Sequence, residues 1–94
     1  MIDEVKSGET QLLDVRTLEE WQEGHAEHAV HIPIDELLNG DTGSLDLGKK
    51  IYIYCRSGSR ASVATRYLQE RGFQAESIGG LRNWLHEGGT LAKS

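Results

Sequence analysis

Apolar positions along the chain fall in short segments whose period alternates between two and about 3.6 residues, with turn-forming residues between them. Gln11-Leu12-Leu13-Asp14-Val15 predicts a short buried strand. Thr17 followed by Glu20 is a capping-box pattern and predicts a helix through Trp21 to Glu23, ended by Gly24. Ala29-Val30-His31-Ile32 is a short extended stretch stopped by Pro33, the only proline, and Ile34 to Leu38 suits a brief helix. Asn39-Gly40-Asp41-Thr42-Gly43-Ser44 has loop composition. Lys50-Ile51-Tyr52-Ile53-Tyr54, rich in β-branched and aromatic residues, is the strongest strand candidate, and Cys55 follows it directly. After Arg56-Ser57-Gly58-Ser59-Arg60 comes a helical segment to Arg71, with Ala61, Ala64 and Leu68 on one face and Gly72 as terminator. Phe73 to Ile78 predicts another strand. Gly79-Gly80 then leads into a last helix from Leu81 to Glu87, closed by Gly88-Gly89. Strands alternating with helices at these spacings predict an α/β architecture, an open parallel sheet covered by helices. Such sheets bind ligands at the C-terminal ends of their strands, which is where Cys55 falls.

Composition narrows the picture. With 94 residues the chain has room for one hydrophobic core, so residues 1–94 read as a single domain. No apolar run approaches the roughly 20 residues needed to cross a bilayer. The opening Met1-Ile2-Asp3-Glu4-Val5-Lys6 lacks the layout of a secretory signal, which makes a cytoplasmic location the expectation. A net charge of −5 argues against nucleic acid and anionic membrane as partners, because both require a basic surface field. The charge is uneven, however. Twelve acidic and four basic side chains lie in residues 1–50, against three acidic and six basic ones in residues 51–94, so the half containing the cysteine is net positive. Cys55 has no second thiol in the chain, which excludes an internal disulfide, a multi-thiolate zinc site and a dithiol redox cycle within one molecule.

A lone cysteine in a small intracellular protein is most often an inert, buried small hydrophobe. The surroundings of Cys55 reverse that expectation. A cysteine between a strand end and a helix start lies near unpaired backbone N–H groups and the positive end of the helix dipole, and Arg56 and Arg60 add positive charge, all of which favours thiolate. Gly58 permits a backbone turn that aims successive amides inward, with Ser57 and Ser59 as further donors. A cradle of this kind suits an anion or a bound sulfur.

Cys55-Arg56-Ser57-Gly58-Ser59-Arg60 resembles the active-site loop of the rhodanese (sulfurtransferase) family. Leu13-Asp14-Val15-Arg16, followed by Glu19-Glu20-Trp21 and by Gly24-His25 leading to Ile32-Pro33, resembles the same family's first signature. Gly79-Gly80 with Trp84 resembles its last one. The resemblance implies a rhodanese-like open parallel sheet of four to five strands flanked by helices. The lower number follows from Asp3 to Gly8, which is helix-like where the family has a short first strand.

The resemblance further implies ping-pong sulfur transfer, with Cys55 as the nucleophile that carries a persulfide and the loop from Arg56 to Arg60 as the binding site for persulfide and substrate. Arg56 is expected to meet the sulfonate of a donor such as thiosulfate. Arg60 is expected to anchor the loop on a carboxylate, for which Asp14 is the nominee. Arg16 is a supporting residue, read as a local ion pair with Glu19 or Glu20. His25 is read as a structural hydrogen-bonding residue, and Trp21 and Trp84 as packing. His28, His31 and His86 show no ligand spacing, so neither metal nor other cofactor is assigned. The implied partners are a small sulfur-containing anion as donor and cyanide or a thiol as acceptor, with a thioredoxin-like protein or a desulfurase as candidate macromolecules. Two alternatives stand beside this reading. One is a persulfide carrier or regulatory module serving a protein partner. The other is a Cys-loop phosphatase or arsenate reductase, which resembles this loop but has one more residue between cysteine and arginine, and so a wider cradle.

Overall fold

The computed structural model describes residues 1–93. Helix α1 (Ile2–Ser7) precedes strand β1 (Thr10–Asp14), helix α2 (Leu18–Glu23) and strands β2 (His25–Ala26) and β3 (Val30–His31). Helix α3 (Ile34–Leu38), strand β4 (Lys50–Cys55), helix α4 (Ser59–Glu70), strand β5 (Gln74–Gly80), helix α5 (Leu81–His86) and strand β6 (Leu91–Ala92) follow. The main sheet has four strands in the order β3-β1-β4-β5, all parallel, and helices flank it, as expected for the α/β class. The helix-like start of the chain is helix α1, which accounts for four strands in this sheet rather than five.

Two residue pairs lay outside the reading of the sequence. β2 and β6 form a separate antiparallel ladder, His25 opposite Ala92 and Ala26 opposite Leu91. Strands of two residues are too short to show a period, so nothing in the hydrophobic pattern announces them. The capping box does form: the Thr17 hydroxyl accepts from the Glu20 amide at 3.2 Å, and the Glu20 carboxylate accepts from the Thr17 amide at 3.0 Å.

The core has two layers, and the two-residue period of β4 assigns side chains to them. Ile51, Ile53 and Cys55 join Leu13, Val15 and Leu37 and the buried stripe of α4, Ala61, Ala64 and Leu68. Tyr52 and Tyr54 face the other way and pack with Val5 of α1, Leu12, Ala26 and Trp84 of α5. In that second layer Asp14 lies opposite Tyr54 in register and accepts a hydrogen bond from its hydroxyl. The same hydroxyl oxygen accepts the Ala26 amide at 3.0 Å, tying the β2–β6 ladder to the main sheet. Asp14 and Tyr54 have no exposed surface. Burial first, and then the adjacent Asp14 carboxylate, push the Tyr54 hydroxyl well above the usual phenol range, so it stays a donor.

Tyr54→Phe leaves a buried amide and a buried carboxylate oxygen each without one partner. It is expected to lower unfolding stability by about 1–3 kcal/mol in urea denaturation. A change within error would mean that water replaces the hydroxyl.

Candidate active site

Cys55 is the last residue of β4, and its side chain points under the first turn of α4. Its sulfur accepts the Gly58 amide at 3.0 Å and the Ala61 amide at 3.3 Å. Gly58 is the N-cap of α4 and supplies no side-chain cap, so the sulfur takes the place a capping oxygen would have at the Ala61 amide and also holds the amide of the N-cap residue itself. Gly58 has φ 109°, the left-handed region that glycine adopts without steric cost. The sequence pointed to amides between Arg56 and Arg60. Of these the Gly58 amide reaches the sulfur, and the second donor, Ala61, lies one residue past the loop. These amides, at the positive end of a three-turn helix, form a site for negative charge on sulfur.

Cys55 itself has no exposed surface, whereas Arg56, Ser57 and Ser59 are exposed. In this structure the sulfur is therefore closed to solvent, and the residues that follow it in the loop face outward. Arg60, at the far end of the loop, is fixed. Its Nη1 donates to Glu20 Oε1 at 2.7 Å and its Nη2 to Glu20 Oε2 at 3.0 Å, a bidentate pair.

Two expected pairings are corrected here. Arg60 anchors the loop on Glu20 rather than Asp14, and Arg16 pairs with Asp14 rather than with Glu19 or Glu20. The reason is the parity of the sheet. Asp14 shares a register position with Tyr54, and the side chain of Tyr54 lies on the opposite face from that of its neighbour Cys55. Asp14 is occupied there: Arg16 Nη2 donates to Oδ2 at 2.7 Å, the Arg16 amide to Oδ1 at 2.8 Å, and Tyr54 supplies its hydroxyl. Arg16 also donates to the Gly24 carbonyl at 2.7 Å. Asp14 and Arg16 thus hold the β1 end and the α2–β2 turn, away from the sulfur. His25 donates from Nδ1 to the Trp21 carbonyl at 3.0 Å, and Trp21 stacks on His25 and His31, which gives both histidine and tryptophan the structural parts expected of them. Trp84 is buried.

Glu20 serves both the capping box and Arg60. The hydrogen bonds from Arg60 hold its carboxyl down at about 2, with the Thr17 amide assisting and partial burial opposing.

Gly79 and Gly80 had signalled only a family signature, and the structure gives them a position. The register between β4 and β5 shifts by one residue after Ile53, so Gly79 lies opposite Tyr54 and Gly80 opposite Cys55. A Cβ on Gly80 would collide with the Arg56 carbonyl oxygen, and Gly58 approaches the Gly79 backbone closely. Two consecutive glycines at a strand end were the available signal that another backbone passes there. Beside them lies an open cleft of about 350 Å³ lined by Arg56, Ser57, Gly79, Gly80, Arg82 and Asn83.

A family model described as a rhodanese-like domain matches residues 1–87. YtwF of Bacillus subtilis (strain 168), provisionally named a sulfurtransferase, is 38% identical over 87 residues, spanning 92% of this chain and 82% of YtwF. PspE of Escherichia coli (strain K12), named a thiosulfate sulfurtransferase, is 32% identical over 73 residues, spanning 76% of this chain and 70% of PspE. The crystal structure of a rhodanese-related protein from Thermoplasma volcanium superposes with a TM-score of 0.83 at 28% identity, covering 99% of this chain and 91% of that one. The chain spans between 20% and 40% of the length of three further curated relatives, whose names refer to sulfur carriage or to adenylyl transfer, in one case joined to sulfur transfer.

Two outcomes are expected from this geometry. Because the folded Glu20 carboxyl lies below its ordinary value of 4.5, the stability it contributes is complete above about 4.5 and is lost as pH falls through about 2. Glu20→Gln should therefore flatten the stability profile across that window, and a profile parallel to that of the parent would contradict the ion pair. Gly80→Ala should displace the Arg56 carbonyl and loosen the cover over Cys55, read as a several-fold faster reaction with a thiol-labelling reagent at unchanged helix content; unaltered labelling would show that the loop absorbs the methyl group.

Proposed function

The chain belongs to the rhodanese-like domain family, whose relatives include named sulfurtransferases, and on that premise we propose that this single domain moves a sulfane sulfur from a donor such as thiosulfate to cyanide or a thiol through a Cys55 persulfide. The observation that carries the proposal is the seat of the Cys55 sulfur on the Gly58 and Ala61 amides at the start of α4.

In the first half-reaction the Cys55 thiolate attacks the sulfane sulfur of thiosulfate. A new sulfur–sulfur bond forms from the thiolate lone pair, the donor's sulfur–sulfur bond breaks, and its electron pair leaves with sulfite. The enzyme is left as a persulfide anion. In the second, the carbon of cyanide or the sulfur of a thiolate attacks the outer sulfur, and the electron pair of the persulfide bond returns to Cys55. No net redox partner is needed.

The chain's own residues serve both steps by holding negative charge. The N-terminal turn of α4 donates to the anionic sulfur, and Arg56, on the exposed loop, meets the donor's sulfonate. Arg60 keeps the loop in register through Glu20. Asp14 and Arg16 act at a distance, by fixing the strand end beside Cys55. The four residues between Cys55 and Arg60 support a sulfur-sized site over the wider oxyanion cradle of a Cys-loop phosphatase or arsenate reductase.

A second reading has its own support. Relatives named for sulfur carriage, and for adenylyl transfer with sulfur transfer, favour a persulfide carrier fed by a protein donor such as a desulfurase, with a thioredoxin-like protein or another thiol as acceptor.

Incubation with thiosulfate should add the mass of one sulfur to the intact protein, and cyanide should remove it as thiocyanate. Cys55→Ser should abolish both changes. Absence of the adduct in the parent protein, with uptake from a protein desulfurase, would replace the small-donor reading by the carrier one. Absence of uptake from either source would overturn sulfur transfer.

A further inference from the structure

The arginines of the positive half fall into two groups, those held by a carboxylate or an aromatic ring and those held by neither. Arg60 is bound to Glu20, and Arg71 lies over the Tyr67 ring. Arg56, Arg66 and Arg82 have no carboxylate partner among the described residues. Two of these three, Arg56 from the loop and Arg82 from α5, line the same cleft together with Ser57, Gly79, Gly80 and Asn83. Asn83 is already engaged, donating from Nδ2 to the Ile78 carbonyl at 2.6 Å, which ties α5 to the end of β5. Arg82 is thereby set on an anchored helix next to the strand end that faces Cys55.

Two exposed arginines that line one cleft without a carboxylate partner leave a local positive field there, which favours an anion. The space is generous: about 350 Å³ corresponds to roughly a dozen waters at ~30 Å³ each, more than thiosulfate fills.

We propose that Arg82 is a specificity-determining residue that, with Arg56, grips the sulfonyl oxygens of an oxyanionic sulfane donor, and that the cleft has room for the organic group of a thiosulfonate as well as for thiosulfate. The inference rests on the sulfur-transfer reading and deepens it. With a thiosulfonate the bond from Cys55 sulfur to sulfane sulfur forms, the sulfane–sulfonyl bond breaks, and its electron pair leaves with the sulfinate. Both arginines stay clear of the bonds that change, so their effect falls on binding and orientation of the donor.

The test compares the parent protein with Arg82→Gln and Arg82→Lys, using thiosulfate and benzenethiosulfonate as donors and cyanide as acceptor. Arg82→Gln should raise KM for both donors about five-fold with kcat nearly unchanged, and Arg82→Lys should recover part of the loss. A second readout needs no turnover: the ratio of Cys55 alkylation rates by anionic iodoacetate and uncharged iodoacetamide should fall about as much in Arg82→Gln. An unchanged ratio, or a KM equal to the parent's in a protein that turns over thiosulfate, would overturn the role of Arg82 and leave sulfur transfer standing. A lowered ratio in a protein whose parent does not turn over either donor would keep the anion cleft and overturn the small-donor reading of sulfur transfer instead.

Discussion

Strand β4 lies between β1 and β5 in the middle of the sheet, and its alternation from Ile51 to Cys55 fixes which chemistry goes to which face. Ile51, Ile53 and Cys55 turn toward α3 and α4, while Tyr52 and Tyr54 turn toward α1 and α5. A slip of one residue would exchange the two sets, sending a tyrosine hydroxyl under α4 and the sulfur toward Asp14. The first turn of α4 would then lose its acceptor and the buried carboxylate would lose its donor. Register in this strand is therefore as much a condition for the sulfur's environment as any residue in the loop.

Each face buries a small polar system, and each is satisfied by parts close in the fold. On one side the sulfur takes the Gly58 and Ala61 amides. On the other, Asp14 takes Arg16 and Tyr54, and Tyr54 passes the connection on to the Ala26 amide. A buried charged pair of this kind adds less stability than its short distances suggest, because both groups gave up water to form it. Its effect is geometric: it holds the end of β1, the turn after α2 and the β2–β6 ladder together, and so determines where α2 lies. Glu20 is on α2, and Glu20 is what holds Arg60. The two faces are thus coupled through a helix rather than through direct contact.

Much of this was legible in the residues. The Thr17–Glu20 capping pattern, the stripe of Ala61, Ala64 and Leu68, and the β-branched run ending in Cys55 each specify a local structure strongly, and all three form. The pairing of charges was not legible in the same way. Asp14, Glu19 and Glu20 were equally available to Arg16 and Arg60 as far as distance along the chain could say, and the choice depends on side-chain parity across two neighbouring strands. Parity follows from register, which no single segment carries. The β2–β6 ladder and the shift after Ile53 belong to the same class, since both are properties of pairs of strands. Gly79 and Gly80 show the intermediate case: their presence signals close backbone approach, but only the pairing of β5 with β4 tells which backbone approaches.

The same distinction sorts the positive charge around the loop. Read as composition, the second half of the chain has an excess of arginine and lysine, and such an excess most often means a solvated surface. In the fold the excess divides by partner. Arg60 spends its charge on Glu20 and anchors the end of the loop, so the field it offers to an incoming anion is largely cancelled. Arg56 and Arg82 keep theirs, on exposed side chains at a cleft beside the covered sulfur. An anion entering that cleft would meet uncompensated charge beside the loop that follows Cys55.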